Sequence, residues 1–405
     1  MRTIISFAAL FLSAAFVQLS SGALSPLDAL AGSALGFSAR DIGLMGSTHF
    51  LGFFLGCWLT PRLMGAIGHS RAFAAMAAIG AIGALLHPVF YDPLAWAALR
   101  VLTGITVAGC YSVIESWMQA KVDNANRGRV VSIYRIVDMA ASVAAQGVVA
   151  VLDPTSYIAY NIIAVICCLC LLPLTMTTAK PPPSPVSPRL RPLMVFQRSP
   201  LAAFSVLIVG LTNSSFRMVG PVYAIESGLN ATGVALFMAA GVGGGALSQW
   251  PAGWLSDKYD RRWVLIWISL LSMAVSAVIS LSGTVTGVWV YVAAFSFGAA
   301  IFPLFSIAAA HANDFAKPEE MVELNTGLMF LYGVGAIISP IAAASLIESY
   351  GPSALFIYIS AAHLALILFG LWRMRRRPVA TAKTEHKYVP RTSFLFTRIF
   401  KSRNM

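Results

Sequence analysis

The residues of this sequence best suited to chemistry are ionisable and amide side chains set inside long apolar runs. In the run near 130–152, Arg135, Asp138, Ser142 and Gln146 fall within about 80° of one another at 100° per residue, so they form one stripe on a helix. Arg135 and Asp138 stand three apart and can pair. In the run near 94–114, Arg100, Gly104, Tyr111 and Glu115 share a second face. Asn213, Arg217 and Gly220 share a third, with Glu226 at its end and Asp28 late in the first run. A charged side chain mid-bilayer costs roughly 2.5–3.5 kcal/mol on insertion scales, so each needs a partner or a task. The chemistry open to such groups is recognition and proton exchange. A guanidinium grips a carboxylate, phosphate or carbonyl, and a carboxylate among apolar helices is costly enough as an ion to exchange a proton. Asp28 and Glu226 are outer-gate or proton-site candidates on this ground, and either is an alternative partner for Arg217. A static structural ion pair is the plainer reading of every one of these residues.

The elements that must carry these residues are membrane helices. The chain has 405 residues, 58% of them hydrophobic and 11% charged, with a mean hydropathy of +0.76. Soluble domains have roughly 45–50% apolar residues. Apolar runs near the roughly 20 residues that span a bilayer recur along it, at 3–30, 41–60, 72–91, 94–114, 130–152 and 156–176, then 201–226, 230–252, 262–282, 287–309, 321–346 and 352–372. Backbone groups in lipid must be satisfied internally, so each is expected to be a helix. The first run is too long for a signal-peptide core and is kept as a span. With the N-terminus cytoplasmic, all of the 28 Lys and Arg except Arg40, Arg100, Arg135 and Arg217 fall on the cytoplasmic side. That places both termini inside.

Between the sixth and seventh spans, KPPPSPVSPRLRP predicts a stiff, solvated linker. The expected organisation is therefore an N-terminal six-helix half over 1–178, a cytoplasmic Pro-rich linker over 179–199, a C-terminal six-helix half over 200–372 and a basic cytoplasmic tail over 373–405. In the tail, RTSFLFTRIFKSRNM is suited to an anionic leaflet, with disorder as the equal alternative. A net charge of +12 spread over alternate loops does not suggest nucleic acid. Cys57, Cys110, Cys167, Cys168 and Cys170 all lie in apolar runs and read as helix packing, with neither a metal nor a cofactor implied. GVGGG at 241–245 has no following Lys, so it reads as a close helix contact, not a phosphate loop.

Charge is densest in QWPAGWLSDKYDRRWVL, between spans 8 and 9. There Gly253, Asp257, Lys258, Arg261 and Arg262 fit G-x-x-x-D-[RK]-x-x-[RK]-[RK], which resembles the signature loop of the major facilitator superfamily (MFS). In the equivalent first-half loop, TPRLMGAIGHSRAF, Pro61 stands at the Gly position and Gly65 at the Asp position. On span 4, Arg100, Gly104 and Ala108 match a second MFS-like element, R-x-x-x-G-x-x-x-[GA]. VIESWMQAKVDNANRGRVVSIYRI, SQWPAGWLSDKYDRR and the chain length are similar to the YcaD-like bacterial branch.

The resemblance implies an all-α membrane protein of twelve transmembrane helices in two six-helix pseudo-symmetric halves. In that family spans 1, 4, 7 and 10 line the cavity, which makes Arg217 the leading substrate-contact candidate, with Asn213, Gln146 and Tyr111 beside it. An Arg such as Arg100 is linked to coupling in the family's proton-driven exporters, so Arg100, Asp138, Asp28 and Glu226 are the proton-coupling candidates. Gly253, Asp257, Lys258, Arg261, Arg262, Glu115, Arg129 and Arg135 are expected to form a cytoplasmic gate. In it the arginines reach carboxylates across the seam between halves, and Glu115 approaches Arg129 or Arg135. The loop charges alternatively only enforce topology. The expected protein is a monomeric, non-enzymatic transporter of a small organic solute in a bacterial-type inner membrane. Alternating access driven by protons is expected, with export favoured on the Arg100 element. A membrane sensor or scaffold, and an uptake uniporter or symporter, are the alternatives.

Overall fold

In the computed structural model of the chain, residues 2–122, 127–176, 191–281, 287–317 and 320–376 are described; within them, the side chains of residues 2–6, 127–129 and 322 are left aside. Every regular element among the described residues is helical. Twelve stretches of the described residues are long and apolar enough to cross a membrane.

The first half contains α1 (Arg2–Ala34), α2 (Ala39–Ile67), α3 (His69–Leu86), α4 (Pro93–Lys121), α5 (Arg127–Val151), α6 (Tyr157–Leu169) and the short α7 (Leu171–Thr175). The second contains α8 (Pro192–Arg198), α9 (Pro200–Glu226), α10 (Ala231–Lys258), α11 (Arg261–Leu281), α12 (Val288–Ile301), α13 (Leu304–Asn313), α14 (Met321–Tyr350) and α15 (Ala354–Met374). Several helix starts carry side-chain caps. Asp92 accepts from Ala95 N at 2.8 Å and Asn230 from Gly233 N at 2.9 Å, satisfying amides that have no partner in the first turn. The tenth span is broken between α12 and α13 at Pro303, which has no N–H to donate and crowds the preceding turn.

Two compact units result. The first holds residues up to Phe37 and those from Thr48 to the Pro-rich segment; the second holds Ser38–Ser47 and the described residues from Arg191 on. Ser38–Ser47 belongs with the second because it packs on α14. Ile341 N donates to Ser47 Oγ at 3.1 Å, and Arg40 N donates to Glu348 at 3.2 Å. A Cβ on Gly43 would strike Ala344 and Pro340.

Two stretches differ from the expectation that 179–199 is all linker and 373–405 all tail. Residues 177–190 and 377–405 lie outside the described residues, but Pro192–Arg198 is a helix. Pro192 occupies its first turn, where a missing N–H costs nothing. Val195 is fully buried against Gly327, and Arg191 pairs with Glu323 at 3.2 Å. Arg198 also pairs with Glu320, whose hydrogen bond from Arg198 holds its carboxyl below the ordinary value. At the other boundary α15 runs through Arg373 to Met374.

Small residues set the helix spacing, as expected without a hydrophobic drive between helices in lipid. Within 241–245, Gly241 and Gly244 approach α12. A Cβ on Gly244 would overlap the Phe295 carbonyl, and one on Gly298 the Gly241 carbonyl, whereas a Cβ on Gly243 would meet open space. Gly244→Ala should therefore cost about 1–3 kcal/mol through overpacking, while Gly243→Ala should be neutral or slightly stabilising. Comparing denaturation midpoints of the two purified variants checks this, and equal midpoints would contradict the packing described.

Candidate functional site

At the end of the first unit where α1 finishes and α4 begins, four helices converge on Asp28. Asp28, His87, Arg100 and Tyr160 are each at most 2% exposed. Tyr160 donates its hydroxyl to Asp28 Oδ1 at 3.0 Å. Asp28 Oδ2 lies 3.4 Å from Arg100 Nε and 3.4 Å from His87 Nε2. His87 reaches this position because α3 ends just before it in a short 3-10 turn, with Pro88 next in the chain. Its ring stacks on Tyr160 at 5.3 Å between centroids, and Trp96 stands edge-on to both. Trp96 Nε1 donates to the His87 and Phe90 carbonyls at 3.0 and 2.8 Å, so the indole ties the α3–α4 connection to the cluster. Asp28, read from sequence as a possible partner of Arg217, is thus held by Arg100, His87 and Tyr160.

A second polar group joins α1, α4 and α5. Tyr111, fully buried, has its hydroxyl 2.6 Å from both Gln18 Oε1 and Asp138 Oδ1. One hydroxyl proton cannot serve two acceptors. Either Asp138 carries a proton, or the Gln18 amide presents its NH₂. Arg135 Nη1 lies 3.4 Å from Asp138 Oδ2, the i, i+3 pair expected from spacing. Gln146 donates to the Gly22 carbonyl at 3.1 Å. The α5 stripe therefore faces α1 and α4. Nearby, Tyr134 donates to buried Glu115 at 3.2 Å. The side chain of Arg129, expected near Glu115, lies outside the described residues.

In the second unit, the dense loop gathers around Arg261, whose side chain is 1% exposed. Its Nη1 donates to Asp314 at 2.5 Å and to the Ala310 carbonyl at 3.0 Å. Its Nη2 donates to Asp257 at 3.1 Å, and its Nε to Ser256 at 3.2 Å. These carboxylates lie in the arginine's own half, joining the ends of α10 and α13 to the start of α11. Arg262 forks onto Asp260 at 2.7–3.1 Å, and its backbone N also donates there. Burial alone would raise the Asp260 carboxyl, but these hydrogen bonds outweigh it and hold it below the ordinary value. Lys258 lies over Trp254 at 4.8 Å, and Gly253 is buried one turn earlier. On α9, Arg217 is half-buried with its guanidinium 4.9 Å from the Phe302 ring centroid, a cation–π contact. Asn213, one turn before, is 5% exposed, and its Oδ1 has no hydrogen-bond partner. Glu226 is exposed at the end of α9.

Sequence reasoning missed His87, Tyr160, Gln18, Tyr134 and Asp314. His87, Tyr160 and Gln18 sit on spans whose stripes were not read, Tyr134 lies on α5 but off its stripe, and Asp314 lies past the end of α13, so helical periodicity could not reveal them. Counting depth from each helix end would have brought His87 and Tyr160 level with Asp28 and Arg100.

The comparisons with known proteins agree with this architecture. A sequence family described as Major Facilitator Superfamily matches residues 10–332 and, in an overlapping match, 202–405. An uncharacterised MFS-type transporter of Enterobacter sp. (strain 638) is 25% identical over 345 residues, covering 84% of this chain and 89% of the relative. The uncharacterised MFS-type transporter YcaD of Salmonella typhi is 26% identical over 348 residues, covering 84% and 88%. Among solved structures, the nucleoside transporter NupG superposes with a TM-score of 0.79 at 15% identity, covering 92% of this chain and all of that one. A bacterial homologue of the lysosomal transporter Spinster, inward-facing and unoccupied, superposes with a TM-score of 0.70 at 14% identity, covering 98% and 97%. The solved structures share the fold.

Two predictions follow from the Arg261 and Asp260 geometry. Arg261→Ala leaves Asp314 buried without its cation and should cost about 3–5 kcal/mol, whereas replacing Arg261 and Asp314 together by Met and Leu should cost far less. Denaturation of both variants decides this; equal losses would contradict it. Asp260 has a folded pKa below its unfolded value, so its contribution is present above about pH 4 and is lost as pH falls through the folded value. The stability difference between wild type and Asp260→Asn should therefore shrink on acidification below about pH 4, and a difference that grew would contradict it.

Proposed function

The chain belongs to the major facilitator superfamily, a family of membrane transporters rather than enzymes, and we propose that it moves a small organic solute by proton-coupled alternating access. The protein is integral to a lipid bilayer. In this reading it occupies a bacterial inner membrane with both termini cytoplasmic, and the six-helix halves over 1–178 and 200–372 expose one site to each side in turn. The observation that carries proton coupling is the burial of two carboxylates, Asp28 and Asp138, each 2% exposed, in the first unit. Asp138 meets a tyrosine hydroxyl placed between two acceptors, and a proton on Asp138 is one of the two arrangements that satisfy it. Asp28 beside Arg100 supplies a second such group. Export is favoured over uptake on the Arg100 element.

Arg217 and Asn213 are the substrate contacts in this proposal. A guanidinium over an aromatic ring with an unpartnered amide oxygen one turn away suits a solute carrying both an anionic or carbonyl group and a donor. Tyr111 and Gln146 are the corresponding first-half candidates, although each is already hydrogen-bonded within its unit. The charged loop, with Glu115, Arg129 and Arg135, is assigned to the cytoplasmic gate. Arg261 would act there by keeping the ends of α10, α11 and α13 a single rigid block.

The test uses full-length protein in liposomes with a pH-sensitive dye inside and a panel of small acids, sugars and drugs outside. Wild type should show compound-dependent proton movement. Asp138→Asn should abolish it, and Arg217→Ala should reduce it at least about tenfold, the effect of losing one charge-assisted contact. Labelled-compound flux without proton movement would overturn the coupling, and absence of both would overturn transport.

A further inference from the structure

The Asp28 cluster contains an inconsistency in its hydrogen atoms that one added proton resolves. Asp28 Oδ2 and His87 Nε2 are buried polar atoms that make no hydrogen bond, although they lie 3.4 Å apart. The state of the ring is set at its other nitrogen. His87 Nδ1 stands 2.7 Å from the Gly83 carbonyl, and a backbone carbonyl only accepts, so Nδ1 must carry a proton. Neutral His87 then presents a lone pair from Nε2. An ionised Asp28 also presents only lone pairs. At 3.4 Å the two acceptor atoms can bond only when a further proton is shared between them.

We propose that Asp28 and His87 together form a one-proton binding site, in which the added proton bridges Oδ2 and Nε2 and loosens Asp28 from Arg100. This rests on the proton-coupled reading above and adds His87 to it. Before the proton arrives, ionised Asp28 and cationic Arg100 compensate one another, with His87 and Tyr160 neutral. The arriving proton forms either an O–H on Oδ2 that donates to Nε2, or an N–H on Nε2 that donates to Oδ2. In either tautomer the cluster gains one positive charge, and Arg100 no longer has the carboxylate to itself. Oδ2 is equally placed for the exchange, at 3.4 Å from each partner.

The surroundings favour a small motion with a fixed ring. Tyr160 holds Oδ1 and stacks within 12° of parallel on the imidazole, while Trp96 packs edge-on to that ring. Asp28 comes from α1, Arg100 from α4 and Tyr160 from α6. Two further titratable groups, His49 of α2 and Cys167 of α6, join Ser20, Arg100, Thr103 and Thr106 in lining a small cavity. His49 is buried, and its Nδ1 has no hydrogen-bond partner. That cavity brings polar side chains from α1, α2 and α4 up to Arg100, the ion partner of Asp28.

Nitrogen NMR of histidine-labelled, full-length protein in lipid nanodiscs tests the site without any transported compound. Among six histidines, His87 is identified by its Nδ1 coupling to carbonyl-labelled Gly83, and independently by the signal missing from His87→Gln. Between about pH 9 and 5, the range over which imidazole can titrate, Nδ1 should stay protonated while Nε2 changes from a bare to a proton-bridged signal. In Asp28→Asn, the Nε2 signal should remain bare throughout. A proton on Nε2 instead of Nδ1 at high pH, an Nε2 signal that never changes, or an Asp28→Asn titration identical to wild type would each overturn the proposal. Absent proton flux with a normal titration would instead count against the transport reading alone.

Discussion

A charge placed where water cannot reach it must find its compensation in the protein, and that constraint organises this molecule. The backbone meets it by becoming helical in every span. The side chains meet it by gathering where several helices end together, because no single helix can surround a carboxylate. Asp28 needs α3, α4 and α6 for its partners, and those partners arrive only because α3 stops at His87 and α4 restarts at Pro93. Helix lengths that look incidental are therefore part of the electrostatics.

The same constraint separates two kinds of buried charge. Arg261 reaches four acceptors within 3.2 Å at the ends of two other helices, an arrangement that rewards staying put. Asp28 Oδ2 has two claimants at 3.4 Å and a hydrogen bond to neither. Fully satisfied networks rigidify, whereas an acceptor with no hydrogen bond has room for a further proton. On this basis the loop after α10 reads as a structural weld, and the α1–α4 cluster as the adjustable element. A transporter needs both: rigid bodies, and a small number of groups whose state can change.

The fold was legible in the sequence because its cause is local. Twenty apolar residues in a row need no partner to be recognised as a span, and the Lys and Arg between spans need none to be counted. The i, i+3 spacing of Arg135 and Asp138 likewise announced a pair, and 241–245 announced a close contact. The candidate site was legible only in part, because its causes are contacts between spans. Arg100 and Asp28 stood out by type, yet nothing in periodicity joined them, and His87 and Tyr160 looked like ordinary aromatic residues near span ends. Arg261 was conspicuous, but its partner Asp314 lies 53 residues away on a helix whose start depends on Pro303. Pro192 misled in the other direction, since proline marks a break in a linker but a beginning at a helix N-terminus.

The most direct measurement counts protons. Acidifying purified protein from about pH 9 to 5 in weakly buffered lipid nanodiscs, and recording the acid consumed by wild type and by Asp28→Asn, isolates what the Asp28 cluster binds whichever atom holds it. The account predicts that wild type takes up one proton more than the variant. Equal uptake would mean that Asp28 is a fixed counter-ion to Arg100, and that the cluster is structural.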